Sequence, residues 1–143
     1  MKSERTQSMG IGYWVSTGVF ALQMGFTAYA QLCLPQVSKV FAHLGFPDYF
    51  RVELSLVKMA GLVVLLLPMA PARLREWAYA GFAITLGSAL VAHLAVGDGP
   101  AAWLWAVGTF GLEAISYYFF RRGVVARAGA GERAPGGSAL LAA

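Results

Sequence analysis

Six side chains that could do chemistry lie within stretches of this sequence that are otherwise apolar. They are Gln23, Gln31, Glu53, Lys58, His93 and Glu113. An ionised side chain at the centre of a bilayer costs about 2.5–3.5 kcal/mol on insertion scales, so such groups need partners. Brought together, these carboxylates, amides, amine and imidazole would form a polar cluster that either binds a small ligand or clamps the helices that carry it.

The composition of the chain places these side chains in an integral membrane protein. Of the 143 residues, 58% are hydrophobic and 13% are charged, and the mean hydropathy is +0.61. An average soluble domain has about 25% charged residues. The net charge of +4 is modest and does not indicate a nucleic-acid partner. The single cysteine, Cys33, excludes an intramolecular disulfide and paired-thiol redox chemistry.

Four apolar stretches must position the polar side chains, and each is long enough to cross a bilayer, which takes about 20 residues. We predict spans at residues 10–34, 48–67, 77–96 and 101–120. Trp77 and Tyr79 are expected at the headgroup level. The predicted fold is therefore all-α, an integral membrane four-helix bundle that forms one domain over residues 1–122.

Two segments lie outside these spans. Residues 35–45 carry Val37, Val40 and Phe41 on one helical side and polar residues on the other. This segment is too short to cross the bilayer, so we predict a short amphipathic helix in the interface between the first two spans. Residues 123–143 are rich in Gly, Ala and Arg and contain no aromatic residue, so we predict a disordered cytoplasmic tail.

Lysine and arginine residues are distributed unevenly between the two sides of the predicted spans. Eight flank the side that holds both termini and the connection after the second span, whereas Lys39 and Arg51 flank the other side. The positive-inside rule then places both termini in the cytoplasm and makes the chain a multi-pass protein of the cell (inner) membrane.

This orientation predicts two ion pairs. At about 1.5 Å rise per residue, Glu53 and His93 lie roughly 5–6 Å below the outer surface, and Lys58 and Glu113 lie roughly 13 and 18 Å below it. We therefore expect Glu53 to meet His93 near the outer mouth and Lys58 to meet Glu113 near mid-membrane, with the two glutamines of the first span at matching depths. Such pairs either line an outward-facing polar pocket or only hold the bundle together.

Other cofactor and catalytic motifs receive little support from the sequence. Bis-histidine ligation of a haem by His43 and His93 is not expected, because His43 lies in the interfacial segment. No pair of strong donors has the spacing of a zinc site, so we predict no metal. No phosphate-binding loop or nucleophile elbow occurs. Ser16 and Thr27 are expected to bond to the backbone of their own helix.

Four segments of the chain are distinctive as a set. They read GYWVSTGVFALQM from Gly12, HLGFPDYFRVELSLVKMAG from His43, LREWAYAGF from Leu74 and AHLAVGD from Ala92. Together they resemble the DoxX-like family of small four-helix membrane proteins. The resemblance implies that fold, but not one activity, because relatives include subunits associated with quinone-linked thiosulfate oxidation and, more distantly, NACHO-type assembly chaperones.

Two functions from different classes fit these observations. The first is a non-catalytic scaffold, assembly factor or accessory subunit, which the missing catalytic motifs and the small-residue stripes of the spans favour. Its expected partners are the lipid bilayer and either another membrane protein or a second copy of the chain. The second is an oxidoreductase component that binds quinone or another small lipophilic molecule in the polar cluster.

Overall fold

The computed structural model describes the backbone of residues 2–131 and the side chains of residues 10–130. All of the regular secondary structure in this part of the chain is helical, which confirms the predicted all-α fold. The five helices are α1 (Lys2–Cys33), α2 (Pro35–His43), α3 (Asp48–Leu66), α4 (Ala72–Ala95) and α5 (Pro100–Gly131).

Prolines set most of the boundaries between these helices. Pro35 is the first residue of α2, where its missing N–H costs nothing, and it follows the extended residue Leu34. Pro47 precedes α3, whose first turn carries Asp48 near the positive end of the helix dipole. Pro71 precedes α4 in the same way. The predicted short helix between the first two spans is therefore present as α2.

The last helix departs from the sequence-based prediction. A disordered tail was expected from residue 123, whereas α5 continues to Gly131. Alanine and arginine are good helix formers, and extending an existing helix avoids the cost of nucleating a new one. The rest of the predicted tail, residues 132–143, lies outside the described residues.

Two glycines with left-handed backbone form the turns at one end of the bundle, which we call the α2 end. Gly45 follows α2 with a φ of 81°, and Gly97 follows α4 with a φ of 77°. After α4, the Gly97 N–H donates to Leu94 at 3.2 Å and the Asp98 N–H donates to His93 at 3.0 Å. These two bonds satisfy carbonyls that the helix end leaves free, and they fold Asp98 back over the last turn of α4.

The four long helices form a ring in the order α1, α3, α4, α5, in which each helix is antiparallel to both of its neighbours. Between α1 and α3, the Tyr13 hydroxyl donates to the Leu65 carbonyl at 3.0 Å. Further along, the Ser55 hydroxyl donates to the Ala28 carbonyl at 2.7 Å. The short helix α2 packs against the α2 end of α3 and α1.

Both the core and the outside of this ring are apolar. Phe20 and Phe82 meet edge to face in the core, with ring centroids 5.2 Å apart. Large hydrophobic side chains also cover the surface, as at Leu22 and Ile84. Among the described residues, α4 is the one helix that is both long and apolar enough by composition to cross a membrane. Soluble monomers rarely expose large contiguous apolar patches.

Candidate functional site

His93 lies at the α2 end of the bundle, where it is bonded to Asp98. Its Nδ1 donates to Asp98 Oδ2 at 2.6 Å, and His43 Nε2 donates to Asp98 Oδ1 at 2.9 Å. One carboxylate thus ties the end of α2 to the end of α4. The predicted pair between Glu53 and His93 is not among the ion pairs of the described residues, where His93 pairs with Asp98 instead.

The protonation of Asp98 follows from these two contacts. The hydrogen bonds from His93 and then His43 lower the pKa of the Asp98 carboxyl from its ordinary value. The folded chain therefore stabilises the carboxylate form. That contribution to stability is present at neutral pH, above the ordinary pKa of an aspartate, and is lost as the pH falls through the lowered pKa of the folded state.

Glu53 lies on the exposed side of α3. Arg51 and Ser55, two residues away on either side, face the bundle, and a displacement of two residues turns a side chain to nearly the opposite side of a helix. None of the ion pairs among the described residues includes the Glu53 carboxylate. Glu53 is thus separated from the rest of the predicted cluster.

Gln31 is buried near the end of α1, beside Arg51. The Arg51 guanidinium donates to the backbone carbonyl of Gln31 and forms an ion pair with Asp48 at 2.8 Å. An arginine in this position satisfies a carbonyl that the helix end leaves free and interacts favourably with the helix dipole. The side-chain oxygen of Gln31 is buried and has no hydrogen-bond partner among the described residues.

Lys58 is 7% exposed and faces a groove between α3 and α4, the α3/α4 groove. The groove has a volume of about 270 Å³. It is lined by Val57, Lys58, Ala60, Gly61, Val64, Leu74, Trp77, Ala78, Gly81, Phe82 and Thr85. No carboxylate is among these residues, so Lys58 is the one ionisable side chain in the lining.

Glu113 is 4% exposed and faces a different groove, between α4 and α5, the α4/α5 groove. The predicted pair between Lys58 and Glu113 is not among the ion pairs in the described part of the chain. The Oε2 atom of Glu113 is buried and has no hydrogen-bond partner among the described residues.

Gln23 joins α1 to α5, because its side-chain amide donates to the Thr109 hydroxyl. Among the described residues, no side-chain hydrogen bond or ion pair joins any two of the six predicted residues. The hydroxyls of Ser16 and Thr27 bond to the Gly12 and Met24 carbonyls of their own helix at 2.7 and 2.8 Å, as predicted.

A buried hydroxyl cluster was missed by sequence reasoning. Ser116 on α5 lies 2.7 Å from the Thr17 hydroxyl of α1 and 2.6 Å from the Tyr79 hydroxyl of α4. Tyr79 is buried in the bundle, and its expected position at the headgroup level stays a prediction. The available signal was periodicity, since Thr17 shares a helical face with the buried residues Phe20 and Met24.

Arg75 was also missed, because it was counted as a charge of the connecting loop. It is 8% exposed, and its Nη2 atom donates to the carbonyls of Leu67 at 2.7 Å and Pro68 at 3.1 Å. Its guanidinium also lies over the Tyr13 ring, 5.6 Å from the centroid. Arg75 thus caps α3 at the end opposite to the one where Arg51 caps α1.

In chemical terms, Asp98 and Asp48 pair with nearby side chains at the α2 end, whereas Lys58 and Glu113 face apolar grooves. Within the described part of the chain, no group of three or more His, Cys, Asp or Glu side chains is arranged to hold a metal ion. The Lys58 amine can donate hydrogen bonds into the α3/α4 groove, and the Glu113 carboxylate can accept them in the α4/α5 groove.

Comparisons with known proteins gave one match. The family model described as the DoxX-like family matches residues 15–115, which is more than two thirds of the chain. No curated protein and no solved structure matches.

Proposed function

Because the chain belongs to the DoxX-like family of membrane proteins, we propose that it is a non-catalytic, multi-pass membrane module that binds a transmembrane helix of a partner protein. It would serve such a partner as a scaffold, an assembly factor or an accessory subunit. The observation that carries this proposal is the α3/α4 groove, which is apolar, edged by small residues and contains Lys58 without a carboxylate.

The proposal includes a topology in which α1, α3, α4 and α5 all cross the bilayer with both termini in the cytoplasm. Large hydrophobic side chains are exposed on each of these helices, as at Phe26, Val63, Ile84 and Ile115. Exposed apolar surfaces of this kind are compatible with contact with lipid tails. Arg51 caps α1 at one end of the bundle, and Arg75 caps α3 at the other end. Leaving both out of the count of lysines and arginines therefore keeps the excess of positive charge on the side of the termini.

Cysteine labelling in intact cells tests this topology. In a Cys33→Ser background, which removes the one native thiol, a cysteine introduced at Gly99 is expected to react with an impermeant thiol reagent added from outside. A cysteine introduced at Ala72 is expected to react only after the membrane is opened. The reverse labelling pattern would invert the orientation, and labelling of both positions from outside would contradict an odd number of crossings between them.

The shape of the α3/α4 groove fits a helix. Along α4 it extends from Leu74 to Thr85, which is about 16 Å at 1.5 Å per residue, or three helical turns. Ala60, Gly61 and Ala78 form part of its walls, and small residues let two helix backbones approach closely. Trp77, at the edge of the groove, is 78% exposed, which indicates that the groove opens toward the outer surface of the bundle.

The charge in the α3/α4 groove indicates the chemistry of the partner. An ionised lysine without a partner in the interior of a bilayer is unfavourable, and ionisable residues at that depth usually face another protein element that carries a partner group. Lys58 has no carboxylate in its own groove. We therefore expect the partner helix to place an Asp or Glu side chain opposite Lys58.

Filling the groove tests partner binding. A leucine at Gly81 would project into the groove without a clash, because a Cβ atom there meets nothing within 4 Å. In native membranes solubilised in mild detergent, we expect Gly81→Leu and Lys58→Gln each to reduce recovery of the bound membrane protein roughly tenfold or more. The control is Gly108→Leu, at an exposed glycine of α5 that is equally free of contacts.

Two outcomes would contradict the partner-helix proposal. One is recovery of the same membrane proteins from the wild type, Gly81→Leu and Lys58→Gln. The other is loss of binding in Gly108→Leu as well, which would show that the effect is not specific to the groove.

The second candidate function is quinone binding by an oxidoreductase component. The observation that favours it is that Lys58 would donate a hydrogen bond to a quinone carbonyl oxygen inside an apolar groove. A bound quinone would supply two-electron redox chemistry, and the walls of the groove would exclude water from it. This function predicts that lipid extracts of the purified chain contain a quinone that Gly81→Leu removes, with no partner protein required.

A further inference from the structure

We propose that the α4/α5 groove is a binding site for a lipophilic cation, that is, a small organic cation with an apolar body. The site lies on the other side of α4 from the α3/α4 groove, so this proposal goes beyond the proposed function and does not depend on a partner helix. Three observations support it: the buried Glu113 side chain, the aromatic rings that line the groove, and the dimensions of the groove.

Glu113 supplies the recognition group. Its side chain is 4% exposed, faces the groove, and has an Oε2 atom with no hydrogen-bond partner among the described residues. A buried carboxylate oxygen without a hydrogen-bond partner is unfavourable, because the hydration lost at that atom is not replaced. No lysine or arginine lines the groove. A ligand that brings a positive charge would satisfy this oxygen.

Aromatic rings line the groove beside the carboxylate. Tyr79 and Tyr117 meet edge to face with ring centroids 5.3 Å apart, and Phe110 lies on the same groove. The faces of aromatic rings attract organic cations, most strongly where water is excluded. Rings and a carboxylate around one cavity are the combination by which proteins bind ammonium groups, whereas an anionic ligand would be repelled by both.

The size of the groove indicates a small molecule as the occupant. Its volume is about 330 Å³, which lies at the lower end of the range for ligand sites. Along α4 it extends from Glu76 to Ala83, about 10 Å at 1.5 Å per residue. At one end of the lining, Glu76 forms an ion pair with Arg121 at 2.7 Å. Ala80 and Ala114 leave the space that the ligand would fill.

A pair of probes with one shape and different charge tests the site. Benzyltrimethylammonium is a cation, and neopentylbenzene is its uncharged isostere. We expect benzyltrimethylammonium to raise the thermal unfolding temperature of the purified full-length chain in detergent in a saturable manner, since a ligand that binds only the folded state stabilises it. Neopentylbenzene is expected to give no saturable shift.

Variants of the groove identify the residues responsible. Glu113→Gln keeps the shape of the side chain and removes its charge, and it should raise the half-saturating probe concentration roughly tenfold or more. Ala80→Leu fills the groove from an exposed position and leaves Glu113 in place, so it should have the same effect even if Glu113→Gln fails to fold. The control is Ser88→Leu, an exposed position of α4 that lines neither groove.

Three results would overturn this proposal. They are equal stabilisation by neopentylbenzene, wild-type affinity in both Glu113→Gln and Ala80→Leu, and no saturable shift of the wild type with benzyltrimethylammonium. None of them bears on the partner helix, which is tested on the opposite groove by Gly81→Leu.

Discussion

Replacing Arg75 by alanine is expected to be the most destabilising single substitution considered for this chain. The change removes the donor that caps the Leu67 and Pro68 carbonyls at the end of α3, and it removes the cation that lies over the Tyr13 ring. Hydrogen bonds from a charged group and a cation–π contact together give an expected loss of about 3–4 kcal/mol in the free energy of unfolding. Denaturant titration of the purified protein in detergent measures it.

The chain provides a matched control for this prediction. Arg73 is the same residue type in the same first turn of α4, but it is exposed. Arg73→Ala should change the free energy of unfolding by no more than about 0.5 kcal/mol. Equal effects of the two substitutions would show that Arg75 acts only through the overall charge of this loop, and the capping role would have to be abandoned.

Removing the Ser116 hydroxyl is expected to have the second largest effect. Ser116 bonds to both Thr17 and Tyr79, so one substitution leaves two buried hydroxyls on two other helices without their short bond. The Thr17 and Tyr79 hydroxyls would keep only their long contact of 3.5 Å with each other. A buried polar group without a good partner costs about 1–3 kcal/mol, so we expect Ser116→Ala to lower the free energy of unfolding by about 2–3 kcal/mol. The same titration applies.

Two further measurements separate this effect from the loss of an oxygen atom in general. Ser88→Ala makes the identical chemical change at an exposed position of α4 and should be close to neutral. Tyr79→Phe removes the other end of the 2.6 Å contact, so a double-mutant cycle with Ser116→Ala should give a coupling of about 1 kcal/mol or more. Additive losses would mean that the two hydroxyls do not stabilise each other.

The sequence by itself was sufficient to predict the number and order of the helices and the class of the protein, although not the extension of α5 to Gly131. Prolines and left-handed glycines mark the boundaries through local backbone geometry, which depends on neighbouring residues alone. A protein surrounded by lipid needs apolar side chains, so the apolar composition indicated a membrane environment. The family match agrees with that environment. The short helix α2 could be predicted for the same reason, because its amphipathic pattern and Pro35 lie within one segment.

The partners of the polar side chains were decided only by the tertiary structure. Depth along a helix follows from counting residues, but direction around it changes by about 100° per residue, so a small error turns a side chain to another face. Lys58 and Glu113 therefore reach two grooves on opposite sides of α4, although both were expected near mid-membrane.

Hydrogen bonds to backbone carbonyls could not be predicted from the sequence either. Arg51 and Arg75 bond to carbonyls at the ends of α1 and α3, and every residue of every helix carries such a carbonyl. His93 bonds to the Asp98 carboxylate because the turn at Gly97 folds the chain back over the end of α4. That turn depends on the positive φ of Gly97. Periodicity and composition thus determine which segments are helical and which environment they suit, whereas the rotation of each helix in the packed bundle determines which polar groups meet.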